Sequence, residues 1–148
     1  MITVKSLLEN KGYDFWNVSP DATVYEALQK MAEKEIGAVL VMKNEKLLGI
    51  FSERDYARKL VLKNHFSKDS IVQNFMTSNV FCVKPETEII ECMQLMTEKH
   101  IRHLPVKENE KIIGIITIGD VVNEIINGQN STIKDLESYI YGGDYGAK

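Results

Sequence analysis

Several things are scarce in this 148-residue chain, and each scarcity removes a class of explanation. Only two cysteines occur, Cys82 and Cys92, in different predicted elements, so no disulfide framework is indicated. Reduced thiols in a cytoplasmic protein are the simplest expectation. Neither sign of charge dominates: the net charge is −3, with acids and bases mixed along the chain. The basic face that marks a nucleic-acid binder is therefore missing. No apolar run approaches the roughly 20 residues that span a bilayer. The opening segment, MITVKSLLENKG, carries charges inside its short apolar stretch and does not read as a signal peptide. What remains is 44% apolar and 26% charged, enough core material for one compact domain or two small interlocked ones.

The main signal is an internal repeat, found by adding 65 to the residue number. Val18 meets Val83, Pro20 meets Pro85, Glu26 meets Glu91, and Met31 meets Met96. Asn44-Glu45-Lys46 meets Asn109-Glu110-Lys111, Gly49-Ile50 meets Gly114-Ile115, and Asp55 meets Asp120. The stretch needs no gap, and most other pairs are conservative, such as Ser52 with Thr117.

Each copy has its own pattern of elements. Val24, Ala27, Leu28, Met31 and Ala32 fall at helical spacing, with Thr23 and Glu26 as an expected capping box. A short apolar strand, a polar turn over 43–46 and a second strand then predict a hairpin. Helical character resumes in ERDYARKLVL, and the second copy repeats the order. Each unit reads β-α-β-β-α, with first strands expected near Phe15–Val18 and Val80–Val83. A unit this small leaves a sheet face uncovered. The expectation is an α+β fold of two pseudo-symmetric repeats packed sheet to sheet, over 8–62 and 76–127, with a connector at 63–75 and a C-terminal helix and tail over 128–148.

The chemistry concentrates at two strand-to-helix junctions, GIFSERD from Gly49 to Asp55 and GIITIGD from Gly114 to Asp120. Glycine allows close backbone approach. A helix start offers free N–H donors and partial positive charge, which suit a phosphate. A carboxylate three residues after the hydroxyl can accept both hydroxyls of a ribose. Ser52 with Asp55, and Thr117 with Asp120, also have the spacing of simple helix caps. The two roles are compatible, and the recurrence of the motif favours a binding function.

The pattern resembles CBS (cystathionine β-synthase) domains, arranged as the pair called a Bateman module, over roughly residues 8–127. The segments NFMTSNVFCVKPETEI, EKHIRHLPVKENEKIIGIITIGDVV and GIFSERDYARK carry the resemblance. It implies a non-catalytic regulatory module holding adenine nucleotides (AMP foremost, then NAD(H) or ATP) between its repeats, and a disc-like homodimer. Carried residue by residue, one site would use Ser52, Asp55, Thr77, Val80 and Cys82. The other would use Thr117 and Asp120 with Arg102 and His103, walled by Gly12, Phe15, Asn17 and Gly37. The family's threonine is Thr77 in one copy and Gly12 in the other, and Gly37 stands where its mate is Arg102. The two clefts are thus expected to differ.

Arg54 and Arg58, four apart on one expected helix, suit either added phosphate contacts or a solvated basic face. His65, His100, His103 and the cysteines show no metal-ligand spacing, and neither cysteine has the partners of a nucleophile. No catalytic cofactor or reaction is indicated. The rival reading is a structural or protein-interaction adaptor with vestigial nucleotide sites. The protein target is unspecified in either case, and neither membrane nor nucleic-acid contact is expected. Residues 131–141 have the pattern of an amphipathic helix, with Ile133, Leu136 and Ile140 on one face.

Overall fold

The computed structural model describes residues 2–128, so the expected helix over 131–141 lies outside the described residues. The first copy comprises β1 (Asn17–Val18), α2 (Val24–Lys34), β2 (Ala38–Lys43) and β3 (Lys46–Ser52), preceded by α1 (Val4–Lys11). A three-residue helical turn, α3 (Glu53–Asp55), then widens into a π turn over Tyr56–Leu60 and tightens into a 3₁₀ turn over Val61–Lys63. The second copy supplies α4 (Ile89–Lys99), β4 (His103–Glu108), β5 (Lys111–Thr117) and a helix over 118–128, α5. This is the expected α+β architecture of two repeats, and the sheets meet through β3 and β5.

The repeat is carried into packing detail. Helix α2 buries Val24, Ala27 and Met31, and α4 buries their mates Ile89, Cys92 and Met96. Both helices close on a left-handed residue, Glu35 and His100. Both hairpins turn through two left-handed residues, Asn44-Glu45 and Asn109-Glu110, the geometry whose twist matches antiparallel strands. Each hairpin has its register shift at the same place, after Val41 and after Val106. Thr23 caps α2 by accepting from the Glu26 N–H at 3.0 Å, but the return arm of the capping box is not made.

Two expectations about regular structure are corrected. The first strands are shorter than the pattern suggested: β1 has two residues, and its counterpart shrinks to a bridge between Val83 and Val106. The cause of the difference is visible in the ladder. The Leu40 N–H donates to the Trp16 carbonyl, whereas the mate of Leu40 is Pro105, which has no N–H to donate. The segment after Ser52 is also no continuous α-helix, because the π and 3₁₀ turns interrupt it.

The cores are crossed. Val4, Leu7 and Leu8 of α1 are fully buried against the second copy, with Val83, Leu104, Val106 and Ile116. Val72, with Phe75 and Met76, packs into the first copy beside Phe51 and Val39. The backbone repeats the crossing. Val4 N–H donates to Thr87 O, and Val72 N–H donates to Ala22 O, both at 2.8 Å. These entry segments correspond at an offset of 68 instead of 65, so three extra residues lie between Leu8 and Asn17.

Candidate functional site

The first junction is built on a close approach. Thr77 exchanges two backbone hydrogen bonds with Ile50, at 2.8 and 2.9 Å. A side chain at Gly49 would drive its Cβ to within 2.8 Å of the Thr77 carbonyl, so only glycine admits this contact. Beside it, Ser52 caps the helical turn. Its hydroxyl accepts from the Asp55 N–H at 3.1 Å, and Asp55 Oδ2 accepts from the Ser52 N–H at 3.0 Å. Asp55 Oδ1 accepts from the Thr77 hydroxyl and from the Lys59 ammonium, both at 3.2 Å. Lys59 lies in the π turn, four residues after Asp55, and also donates to Phe75 O at 2.9 Å. One carboxylate oxygen is therefore held by the cap, while the other takes donors from side chains that can rotate away.

A cleft of about 280 Å³ opens over this carboxylate. Gly37, Ile50, Ser52, Glu53, Arg54 and Asp55 of the first copy line it, together with Thr77, His100, Ile101, Arg102 and His103. Asp55 is only 13% exposed and faces this hollow. Arg54 reaches across the repeats and donates to the His100 carbonyl at 2.8 Å. The cleft thus combines apolar walls from Ile50 and Ile101, a helix start, two arginines and two histidines with the carboxylates of Glu53 and Asp55.

The second junction repeats the cap and changes its surroundings. Asp120 Oδ2 accepts from the Thr117 N–H at 2.9 Å, and the Thr117 hydroxyl accepts from the Asp120 N–H at 3.1 Å. The remaining donor is Lys11, from the last turn of α1. Its ammonium stands 2.5 Å from Asp120 Oδ2 and 2.7 Å from the Ile115 carbonyl. Ile115 is the mate of Ile50, so the ammonium meets the carbonyl that the Thr77 amide meets in the first copy, together with the cap oxygen of the aspartate instead of the Oδ1 that takes the Thr77 hydroxyl.

The grouping of site residues drawn from the sequence needs correction. Gly37, Arg102 and His103, assigned there with Thr117 and Asp120, line the cleft of Ser52 and Asp55, and His103 also pairs with Thr117 and feels the charges of Lys11 and Asp120. Gly12 is not the structural counterpart of Thr77: it closes α1 at φ 109°, with open space around it. Phe15 and Asn17 face a separate hollow of about 340 Å³ with Asn44, Glu45 and Lys111, remote from either helix start. Cys82 likewise lines a hollow beside the second hairpin, with Lys107 and Glu108. Val80 is half-buried and lines none of these three hollows, and Arg58 is exposed, away from the cleft lining. Lys59 was missed, although its spacing of four from Asp55 on a helical segment is a readable signal. Lys11 left no such signal, being 109 residues from its partner.

Burial sets the remaining titrations. It raises both thiols, Cys92 to about 11, so they stay protonated at neutral pH. His103 is held below the ordinary histidine range, first by burial and then by Lys11 and Arg102, with Asp120 opposing. An unfolded His103 binds a proton near pH 6.5, and the folded one does so only at lower pH. Stability contributed by its neutral form is therefore lost as pH falls below about 6.5. Denaturation midpoints at pH 7.5 and 5.5 should fall further in the wild type than in His103→Gln, and equal losses would remove this account. Among the described residues, no three His, Cys, Asp or Glu side chains converge as a metal site, and no helix is long and apolar enough to cross a membrane.

The CBS domain model matches residues 11–62 and 72–127. The chain belongs to the CBS domain family. As a CBS pair it is similar to the mitochondrial CBS domain-containing protein CBSX3 of Arabidopsis thaliana, 36% identical over 151 residues, covering 95% of this chain and 73% of that one. Other curated relatives are longer, and this CBS pair spans 20–66% of their length. A solved protein with CBS domains from Burkholderia ambifaria is 45% identical with a TM-score of 0.82, over 86% of this chain and 96% of that one. A CBS domain pair solved with 5′-methylthioadenosine and S-adenosyl-L-methionine shares the fold at 20% identity and a TM-score of 0.74, over 87% of this chain and 98% of that one.

Proposed function

We propose that this CBS pair is a non-catalytic regulatory sensor that binds an adenine mononucleotide, AMP foremost, in the cleft over Asp55. The observation that carries the reading is the placement of the Asp55 carboxylate, with a rotatable set of donors on Oδ1, at the floor of a hollow walled by both repeats. The ribose hydroxyls replace Thr77 and Lys59 on that oxygen. The base lies between Ile50 and Ile101, and the phosphate meets Arg54, Arg102 and His103. A volume of about 280 Å³ falls just below the roughly 300–1,000 Å³ range of ligand pockets. That favours a mononucleotide over NAD(H). The bound adenosine compounds of the distant CBS pair support the ligand class.

Because both repeats wall the cleft, occupancy biases their relative angle, which is how such a module signals. A homodimer through α5 and the turns after α3 accords with the exposed apolar side chains of Val61, Leu62, Val122 and Ile126. A cytoplasmic setting is part of the same proposal. Calorimetric titration with AMP, ATP, NADH and S-adenosylmethionine tests the reading, with AMP expected to bind most tightly. Silence from all four at millimolar concentration, with the protein folded, removes it. The adaptor reading draws on a specific observation, the full set of protein donors already on Asp55, and it predicts that silence.

A further inference from the structure

We propose that Lys11 is an internal lock on the second junction, so that the chain binds one nucleotide and not two. The inference rests on the sensor reading of the first cleft. Its physical basis is the exchange of donors between the copies. In the first, residue 77 brings an amide and a carbonyl to β3, leaving a polar backbone edge beside the junction. In the second, α1 is still helical at the matching depth, and Lys11 reaches from its last turn to the junction. The ammonium ties Ile115 O to Asp120 Oδ2. A base arriving there finds a cation where the first cleft has the Ile50–Thr77 backbone pair, and that cation comes from the other copy instead of from the junction's own helical segment.

The asymmetry is compounded at the next position. The mate of Lys59 is Glu124, so the second copy has no cation of its own to place on Asp120. Glu124 accepts instead from Asn10, at 3.4 Å, tying α5 to α1 on the same side as the lysine. Lys11 and Asp120 are 30% and 24% exposed, so the pair is shielded enough to persist and open enough to be replaced. Asp120 Oδ1 takes no hydrogen bond among the described residues, and it is the atom a ribose would use once the lysine is gone.

The test is AMP titration of the wild type, Lys11→Met and Lys11→Gln by calorimetry, each checked for folding by circular dichroism. Methionine keeps the packing of the lysine stem and removes the charge. The wild type should bind one equivalent per chain and both variants two, and adding Asp120→Asn to Lys11→Met should return the count to one. Two equivalents in the wild type, or a loss of binding in the variants because Lys11 serves the phosphate, would overturn the proposal. If the wild type binds nothing and Lys11→Met binds one equivalent, the lock stands and the reading of the first cleft falls. If none of the three proteins binds AMP, both fall.

Discussion

On the proposed reading, Asp55→Asn should lower the affinity of the first cleft for AMP by about 100-fold or more, while Asp120→Asn should change it little. The size follows from the chemistry of the carboxylate. Two ribose hydroxyls donating to one charged group make charge-assisted bonds, each of about 1.5–3 kcal/mol. Their combined loss exceeds 2.8 kcal/mol, which corresponds to about 100-fold in affinity. Asparagine keeps the shape of Asp55 and still accepts from the Ser52 N–H through its carbonyl, so the helix turn should survive at a cost of about 1 kcal/mol. Binding by calorimetry and stability by urea denaturation separate the two effects. Unchanged AMP affinity in folded Asp55→Asn would show that the carboxylate is a cap and nothing more.

Leu8→Ala should cost about 2–5 kcal/mol of stability, the range for emptying a fully buried leucine. That is a large share of the roughly 5–15 kcal/mol that holds a domain together. The location of the damage is the sharper result. Leu8 packs against Gly114 on β5, so amide hydrogen exchange should quicken first at residues 104–116, in the second copy. Met76→Ala should do the reverse and loosen 39–51, since Met76 sits over Gly49. Exchange that quickens first in the copy adjacent in sequence would contradict the crossed cores.

Much of this was legible in the residues. The offset of 65 located both hairpins, both inward faces of α2 and α4, and both capped junctions, because those segments obey one local pattern twice. The structure sets Ser52, Asp55 and Thr77 side by side, because the cap joins the first two and Thr77 pairs through its backbone with Ile50 of the other copy. The misreadings share one cause. Between Leu8 and Asn17 the register changes by three, so carrying Thr77 back by 65 lands on Gly12, where the chain is leaving a helix. The functional counterpart, Lys11, acts through a long side chain on a residue 109 positions away, and no periodicity encodes that contact. Arg102 and His103 were read with one junction only, for a related reason. Strand pairing sets His103 opposite Thr117, but the hollow these residues line opens toward Ser52 on the other copy. Pro105 shows the same limit: its missing N–H was visible in the sequence, but its effect depended on knowing that Trp16 O pairs with the mate position.

The exchanged entry segments have a mechanical meaning. Ile2 and Val4 are hydrogen-bonded to Ile89 and Thr87, so force applied ahead of Ile2 is transmitted to the later half of the chain before the earlier one. A fluorescent reporter fused at that end would be wired to the Asp120 side, and one inserted in the loop around Asn64 to the Asp55 side. Reporter order along the polypeptide would run opposite to the order of the two copies.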